Sequence, residues 1–196
     1  MLARRQFTGK SLLSALLLAP LVLPPVVTGL LLLRALGRGT PIGAFLADLG
    51  LSVPFSLFGA VLAALVVGFP VYAMAIRGAF EAVDPRLEEV SASLGQPPAR
   101  TFRRVTLPLA LPGIAAGAVL AFARGLGEFG ATAIIAGNME GRTRTIALAV
   151  YALLDGPGED PRLGQLVWAS LGLCLLSLGG YEALSRWQRR RLELDG

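Results

Sequence analysis

The chain has 196 residues, of which 54% are hydrophobic and only 16% are charged, and its formal net charge is +5. Because a soluble domain carries about 25% charged residues, this composition excludes an ordinary soluble protein and favours an integral membrane protein. The sequence contains no histidine, which excludes histidine triads and histidine-bound zinc, and its one cysteine, Cys174, excludes an intrachain disulfide. We expect no catalytic residue, metal site or cofactor in this chain. The basic residues lie in short clusters between apolar runs, so we also expect no nucleic-acid partner.

Four segments are long and apolar enough to cross a bilayer, which takes about 20 residues. In chain order they are 12–33, 54–76, 107–123 with a resumption at 129–137, and 163–181. A shorter apolar run, 146–154, is predicted to form a helix at the outer face or packed on the bundle. The predicted fold class is therefore all-α, a polytopic bundle of about four transmembrane helices.

The basic residues indicate how these spans are oriented. If the N-terminus is inside, the five basic residues outside are Arg34, Arg38, Arg142, Arg144 and Arg162. The twelve inside are Arg4, Arg5, Lys10, Arg77, Arg86, Arg100, Arg103, Arg104, Arg186, Arg189, Arg190 and Arg191. Cytoplasmic loops carry an excess of arginine and lysine, so both termini and the polar segment 89–108 are predicted to be cytoplasmic.

Prolines interrupt the first predicted span at Pro20, Pro24 and Pro25. Each proline removes an amide donor from the helical hydrogen-bond ladder. Broken backbone at membrane depth is tolerated where it is buried in protein or lines a watery cavity. The stretch 20–29 is therefore interpreted either as part of a substrate pathway or as a kinked packing helix.

A polar segment, 89–108, separates the second and third predicted spans. Asp84, which a proline follows, lies in an acidic stretch typical of a helix start. Gly95 is predicted to end that helix, and Pro97 and Pro98 are predicted to prevent it from resuming. We expect a short helix, a sharp turn and a second amphipathic stretch, together a rigid knob suited to transmitting force. An ordinary solvated loop is the alternative.

Arg124 and Glu128 are the two charged residues near the end of the third predicted span. They lie four residues apart, so they share a face and can neutralise each other if the helix continues. At about 1.5 Å per residue, Arg124 lies about 24 Å along the helix from Pro108, towards the outer half of the membrane. Ionised groups inside a span usually face the bundle interior or an aqueous path. Either Arg124 helps an oxyanion to pass while Glu128 holds the arginine in place, or the two form a structural ion pair.

The segment 89–108 resembles the EAA loop of ABC-importer permeases, the cytoplasmic segment that docks on the ATPase subunit. Glu89 leads the motif, Val90 and Ser91 stand at the positions of its two alanines, and Gly95 follows at the expected spacing. The motif closes with Val105 in place of isoleucine and with Leu107 and Pro108.

Two further stretches resemble the molybdate permeases within the binding-protein-dependent inner-membrane component family. The proline-rich stretch 20–29 is similar to their proline-rich span. The stretch 120–132, which continues to Asn138 and Thr145, is the most specific of the three. Related sulfate permeases tend to carry Gly-Glu-Tyr-Gly-Ser where this chain has Gly-Glu-Phe-Gly-Ala, and tungstate and sulfate or thiosulfate remain alternative cargoes.

The resemblance implies a single permease domain over 1–196 with a coupling loop at 81–106, in the plasma (inner) membrane of a bacterium or archaeon. It implies a homodimer in the lipid bilayer, a pair of ABC ATPase subunits that hydrolyse ATP, and an extracytoplasmic molybdate-binding protein. The chain itself is then not an enzyme. The residues implied for ATPase coupling are Glu89, Val90, Ser91, Gly95, Val105, Leu107 and Pro108. Those implied for the pathway or gate are Pro24, Pro25, Arg124, Glu128 and Thr132.

Permeases of this group usually carry one more span before the stretch that matches 4–10, whereas this sequence begins at Met1. We expect a start site placed late, a fragment, or a version with four spans. A membrane-embedded enzyme is a rival class, but the spans hold only Arg124 and Glu128 as ionised candidates. A structural or assembly membrane protein is the other rival, and it would not need a docking loop.

Overall fold

The computed structural model describes residues 8–156 and 160–194, and all regular structure within them is helical. The helices are α1 (Lys10–Val22), α2 (Pro25–Leu36), α3 (Pro41–Asp48), α4 (Leu57–Glu81), α5 (Pro85–Ser93), α6 (Pro98–Thr101), α7 (Leu107–Leu126), α8 (Gly130–Ile135), α9 (Ile146–Leu154) and α10 (Pro161–Leu194). A π-helical turn, Phe102–Thr106, joins α6 to α7. The predicted all-α fold class is confirmed. Arg4 and Arg5 of the orientation count, and the side chain of Arg191, lie outside the described residues.

Three helical segments in the described part of the chain are long and apolar enough to cross a membrane: Leu57–Glu81, Pro98–Leu126 and Pro161–Arg190. A fourth candidate is the pair α1 and α2, which is bent by 114°. The predicted number of about four spans holds if this pair counts as one broken span.

The predicted span 12–33 is not one helix, because two successive prolines interrupt it. Pro24 has extended backbone (φ −54°, ψ 132°), and Pro25 begins α2. The residue before a proline is sterically disfavoured in the α-helical region, so the chain turns at Pro24. Proline at the first helical position costs no hydrogen bond, and α2 starts there without penalty.

The later helices differ from the predictions mainly in length. α9 occupies Ile146–Leu154, as predicted. α10 runs over 34 residues, well beyond the predicted span 163–181. The apolar stretch 129–137 does not continue the preceding span but contains the separate six-residue helix α8.

Helix α3 was not predicted from the sequence. Thr40 caps it, because its hydroxyl oxygen accepts a hydrogen bond from the amide of Gly43 at 3.0 Å, and Pro41 occupies the first helical position. A threonine cap followed by proline is a recognised helix start, so the signal was present in the sequence.

The described residues pack into two compact units, and each unit is made of several separate segments of the chain. The first unit combines Met1–Leu17, Val71–Leu120 and Leu176–Gly196, and its buried apolar cluster is Ala79, Val83, Leu109 and Ala110. The second combines Leu18–Pro70 and Ala121–Leu175, and its cluster is Val53, Ala60, Ala63, Val67, Ala131, Ile135 and Ala136. The coupling loop predicted at 81–106 lies in the first unit, and the Arg124–Glu128 pair lies in the second. The assignment of 1–196 to one domain stays a prediction.

Candidate functional site

Helix α5, the first half of the predicted coupling loop, begins and ends where the sequence indicates. The carboxylate of Asp84 accepts a hydrogen bond from the amide of Arg86 at 2.9 Å and so caps the first turn. At the other end Gly95 has φ +73°, its amide donates to the Ala92 carbonyl at 2.9 Å, and the amide of Gln96 donates to the Ser91 carbonyl at 3.2 Å. These two bonds form a Schellman motif, which requires a left-handed residue at Gly95.

The prediction that Pro97 and Pro98 prevent the helix from resuming is wrong. Pro97 is extended (φ −67°, ψ 149°), and α6 begins at Pro98 itself. A proline inside a helix breaks it, but at the first helical position the missing amide would have no partner anyway. The two prolines therefore start the second helix of the loop, and the loop is a helix–turn–helix.

Two side-chain hydrogen bonds join α5 to this second helix. The hydroxyls of Ser91 and Thr101 lie 2.8 Å apart, and the hydroxyl of Thr106 donates to Oε1 of Glu88 at 2.6 Å. Thr101 and Thr106 are both buried. Thr101 immediately precedes the π-helical turn and Thr106 is its last residue, so the two bonds hold the turn at both of its ends.

Apolar side chains pack beneath the two helices. Val83 is fully buried, and Val105 is partly buried against the same cluster, which includes Leu109. The rings of Phe80 and Phe102 stack with their centroids 6.0 Å apart. Polar and apolar contacts therefore both hold α5 against the N-terminal end of the helical segment Pro98–Leu126.

The opposite side of α5 is exposed. Glu89 is exposed and forms no hydrogen bond or ion pair with the described residues. Val90 and Leu94 are 57% and 73% exposed, and they lie four residues apart on one face. An apolar pair of this kind beside an exposed carboxylate can insert into a groove on another protein.

The predicted coupling residues therefore fall into two groups. Those on the surface are Glu89, Val90, Gly95 and Pro108. Those turned inward, at least half-buried, are Ser91, Val105 and Leu107. The first group is available to a partner, whereas the second holds the loop in shape.

Three arginines line an open recess at the start of the second helix: Arg100, Arg103 and Arg104, together with Pro97 and Ala99. All three are exposed, and Arg100 donates to the side chain of Gln96 at 3.1 Å. This concentrates positive charge within the predicted coupling loop, as the positive-inside rule expects if the loop is cytoplasmic.

Arg124 and Glu128, in the second unit, form an ion pair although α7 ends between them at Leu126. Nη1 of Arg124 donates to Oε2 of Glu128 at 3.2 Å. The Glu128 side chain is only 2% exposed and that of Arg124 is 38% exposed. The second carboxylate oxygen of Glu128, Oε1, accepts from the amide of Ala131 at 2.8 Å. Glu128 therefore both holds Arg124 and satisfies a free amide in the first turn of α8.

The other predicted pathway residues surround α8 and α2. Thr132 is 1% exposed, and its hydroxyl donates to the carbonyls of Glu128 (3.1 Å) and Phe129 (2.9 Å), so it serves the backbone in this conformation. Pro24 is exposed and Pro25 is half-buried.

Helices α2 and α8 pack closely, and glycine makes this possible. A Cβ added at Gly29 would lie 2.7 Å from the Ala131 carbonyl oxygen, and one added at Gly130 would lie 3.1 Å from the Cβ of Pro25. The hydroxyl of Thr28 is buried beside this contact and has no hydrogen-bond partner among the described residues. The prolines and the Arg124–Glu128 pair thus belong to the same unit.

Sequence reasoning missed Glu88, Thr101 and Thr106. In an α-helix, residues five apart do not share a face, so nothing in the spacing of the two threonines indicated a common partner. The second bond of Glu128 was missed because α8 was expected to be continuous with the preceding span.

The apolar helices, the broken first span and the helix–turn–helix between two long helices define the class of protein, a multi-pass membrane protein. Residues 1–190 match the family described as binding-protein-dependent transport system inner membrane component, and the chain belongs to that family. The predicted family is confirmed.

The chain is similar over nearly its whole length to permeases with a stated role. It is 46% identical to the molybdenum transport system permease protein ModB of Haemophilus influenzae over 194 residues, which cover 98% of this chain and 83% of that protein. It is 49% identical to ModB of Escherichia coli strain K12 over 192 residues, covering 97% of this chain and 84% of that protein. A third ModB, from Mycobacterium tuberculosis, is 47% identical over 168 residues, covering 85% of this chain and 64% of that protein.

Proposed function

We propose that this chain is the permease subunit of an ABC importer that moves molybdate into the cell. The observation that carries the proposal is the similarity, at 46% and 49% identity over 98% and 97% of the chain, to two permeases named for molybdenum transport. The helix–turn–helix of the coupling loop supports it, since a permease powered by a separate subunit needs a surface on which that subunit can act.

A pair of ATPase subunits is the proposed partner of the exposed face of α5. The exposed, closely spaced Val90 and Leu94 supply the apolar contact, and Glu89 supplies a carboxylate with no partner among the described residues. The neighbouring arginine recess supports a cytoplasmic position for the loop, and with it cytoplasmic termini. On the outer side an extracytoplasmic binding protein delivers the anion, and a second copy of the chain completes a homodimer with the pathway at its two-fold axis.

Arg124 is the proposed contact for the oxyanion in the second unit. A guanidinium carries five N–H donors, and the described residues use one of them, in the bond to Glu128. Its side chain is 38% exposed, so the remaining donors can reach a tetrahedral oxyanion. The buried Glu128 orients Arg124, and the alternative role of the pair is purely structural.

Transport in this scheme involves no bond chemistry in the chain. ATP-driven closure of the ATPase subunits pushes on α5 and shifts the permease between inward- and outward-facing states. The permease has two conformations, and the ATPase and the substrate each change the relative stability of these two conformations. This shared effect on one equilibrium is sufficient to couple ATP hydrolysis to transport.

The test is to alter the exposed face and turn of α5 in the permease reconstituted with its ATPase and binding protein. Gly95→Pro removes the left-handed turn, and Glu89→Arg reverses the charge of an exposed side chain. We expect both variants to insert into the membrane but to hydrolyse ATP without matching molybdate uptake.

Two matched controls lie outside the loop. Gly141→Pro acts on a glycine with a similar backbone angle (φ +71°), and Asp48→Arg reverses an exposed carboxylate that, like Glu89, has no partner among the described residues. Normal uptake is expected for both controls. Normal uptake in Gly95→Pro and Glu89→Arg would refute the docking role of α5.

A further inference from the structure

The two hydrogen bonds between α5 and the second helix require Thr101 and Thr106 to lie on the same side of that second helix. Glu88 and Ser91 lie three residues apart on α5, which puts them on one face. Their partners, Thr106 and Thr101, lie five residues apart. At 3.6 residues per turn, five residues of α-helix would put the two hydroxyls about 140° apart around the helix axis. A regular α-helix therefore could not offer both hydroxyls to α5.

The π-helical turn removes this mismatch. The amide of Leu107 donates to the carbonyl of Phe102, which is the i to i+5 bond that defines π-helical geometry. With this hydrogen-bond pairing, each residue lies one turn further along the helix axis than the residue five positions earlier, on nearly the same side of the helix. The turn thereby brings Thr101 and Thr106 to the same side of the helix, where one contacts Ser91 at 2.8 Å and the other contacts Glu88 at 2.6 Å.

The contacts are built rather than incidental. Thr101 and Thr106 are 7% and 4% exposed, so their hydroxyls are removed from water and need these partners. The stacked rings of Phe80 and Phe102 lie at the same junction, and Val83 is fully buried in the apolar cluster below it. A π-helical turn inside a helix often marks a functional position, because its geometry is less favourable than that of an α-helix.

We propose that the π-helical turn fastens the coupling helix to α7 at two points, so that α5 and the base of α7 move as one body during transport. Thr101 and Thr106 act as positioning residues through Ser91 and Glu88. The inference rests on the proposed function, in which α5 receives the push of the ATPase. The outer face of α5 then binds the ATPase, and the inner face carries the motion into the membrane helix.

A reversible cross-link tests whether the two helices separate. Cys174 is the only cysteine in the sequence and is replaced by serine. The pair Ser91→Cys and Thr101→Cys is then introduced at the contact between the two hydroxyls, which lie 2.8 Å apart. We expect oxidation to remove both thiols from maleimide labelling. We expect the cross-linked permease to take up at least as much molybdate per ATP as its reduced form, because the disulfide replaces the hydrogen bond that the two substitutions remove. Loss of uptake that a reductant restores would overturn the proposal, because the helices would then have to part. Failure of the pair to cross-link would overturn the contact itself.

Substitution of one hydroxyl tests its positioning role. Thr106→Val keeps the shape of the side chain and removes the bond to Glu88, whereas Thr106→Ser keeps the hydroxyl. We expect Thr106→Val to bind the ATPase normally but to transport about two- to tenfold less molybdate per ATP, the range that one hydrogen bond corresponds to. Thr106→Ser should restore the ratio, and Ser170→Ala, which removes a hydroxyl bonded within α10, should not change it.

The outcomes separate this inference from the function on which it rests. An unchanged ratio in Thr106→Val, with normal coupled uptake by the unaltered chain, would overturn the two-point connection alone. If the unaltered chain does not bind an ATPase or take up molybdate, the proposed function fails, whatever the cross-link shows.

Discussion

Replacing Glu128 with alanine is expected to destabilise the second unit more than any isosteric change at the same position. The carboxylate is 2% exposed and accepts two hydrogen bonds, from Arg124 at 3.2 Å and from the amide of Ala131 at 2.8 Å. Alanine leaves the guanidinium and the amide without these acceptors, whereas glutamine keeps an oxygen for Ala131 and loses only the charge.

The magnitude follows from the exposure of each partner. Removing one member of a fully buried ion pair costs about 3–5 kcal/mol, but Arg124 is 38% exposed, so about 1–2 kcal/mol is appropriate here. The unsatisfied amide of Ala131 adds about 1–2 kcal/mol. We expect Glu128→Ala to lose about 3 kcal/mol and Glu128→Gln about 1 kcal/mol. At about 2–4 °C per kcal/mol for a chain of this size, the melting temperature falls by about 6–12 °C and about 2–4 °C respectively.

The assay is the melting temperature of the detergent-solubilised permease, followed by loss of the monodisperse species on size-exclusion chromatography. Arg124→Gln, alone and combined with Glu128→Gln, completes a double-mutant cycle that isolates the charge term. The reasoning is refuted if Glu128→Ala has the same melting temperature as the unaltered protein, or if Glu128→Gln lowers the melting temperature as much as Glu128→Ala does. The second result would mean that the charge, not the acceptor for Ala131, carries the stability.

Two further predictions concern the same unit. Gly29→Ala places a Cβ 2.7 Å from the Ala131 carbonyl oxygen and should cost about 1–3 kcal/mol through overpacking, whereas Gly172→Ala, with nothing within 4 Å, should be neutral or stabilising; equal melting temperatures would contradict the close α2–α8 contact. For the pathway, Arg124→Lys and Arg124→Gln should reduce molybdate uptake in permeases that still assemble, and uptake at the unaltered rate in both would leave Arg124 with a structural role only.

Local rules of sequence predicted much of this fold. The acidic stretch at Asp84 and the glycine at Gly95 marked the two ends of α5, because capping and left-handed backbone demand particular residue types. The apolar run 146–154 matched α9 residue for residue. Hydropathy predicted the long helices because a bilayer requires about 20 apolar residues whatever their packing.

The features that escaped prediction depend on contacts between distant residues or on an ambiguous local signal. Proline breaks a helix or begins one according to its position, and Pro98 begins α6 where a break was expected. The π-helical turn was not indicated by the sequence, since the hydrogen bonds of Thr101 and Thr106 with α5 join residues that lie 10 and 18 positions apart. The second bond of Glu128 became visible only once the short helix α8 was seen to start anew beyond Leu126.

The central claim is that this chain carries molybdate across a membrane under the power of a separate ATPase. The most direct measurement is uptake of radiolabelled molybdate into vesicles that contain the permease, its ATPase and its binding protein. ATP is supplied either on the side of the membrane where the ATPase lies or on the opposite side. Unlabelled molybdate, tungstate and sulfate serve as competitors. The account predicts ATP-dependent uptake that excess molybdate abolishes and that excess sulfate leaves largely intact. Uptake that sulfate abolishes and molybdate does not, or uptake that proceeds equally without ATP, would contradict it.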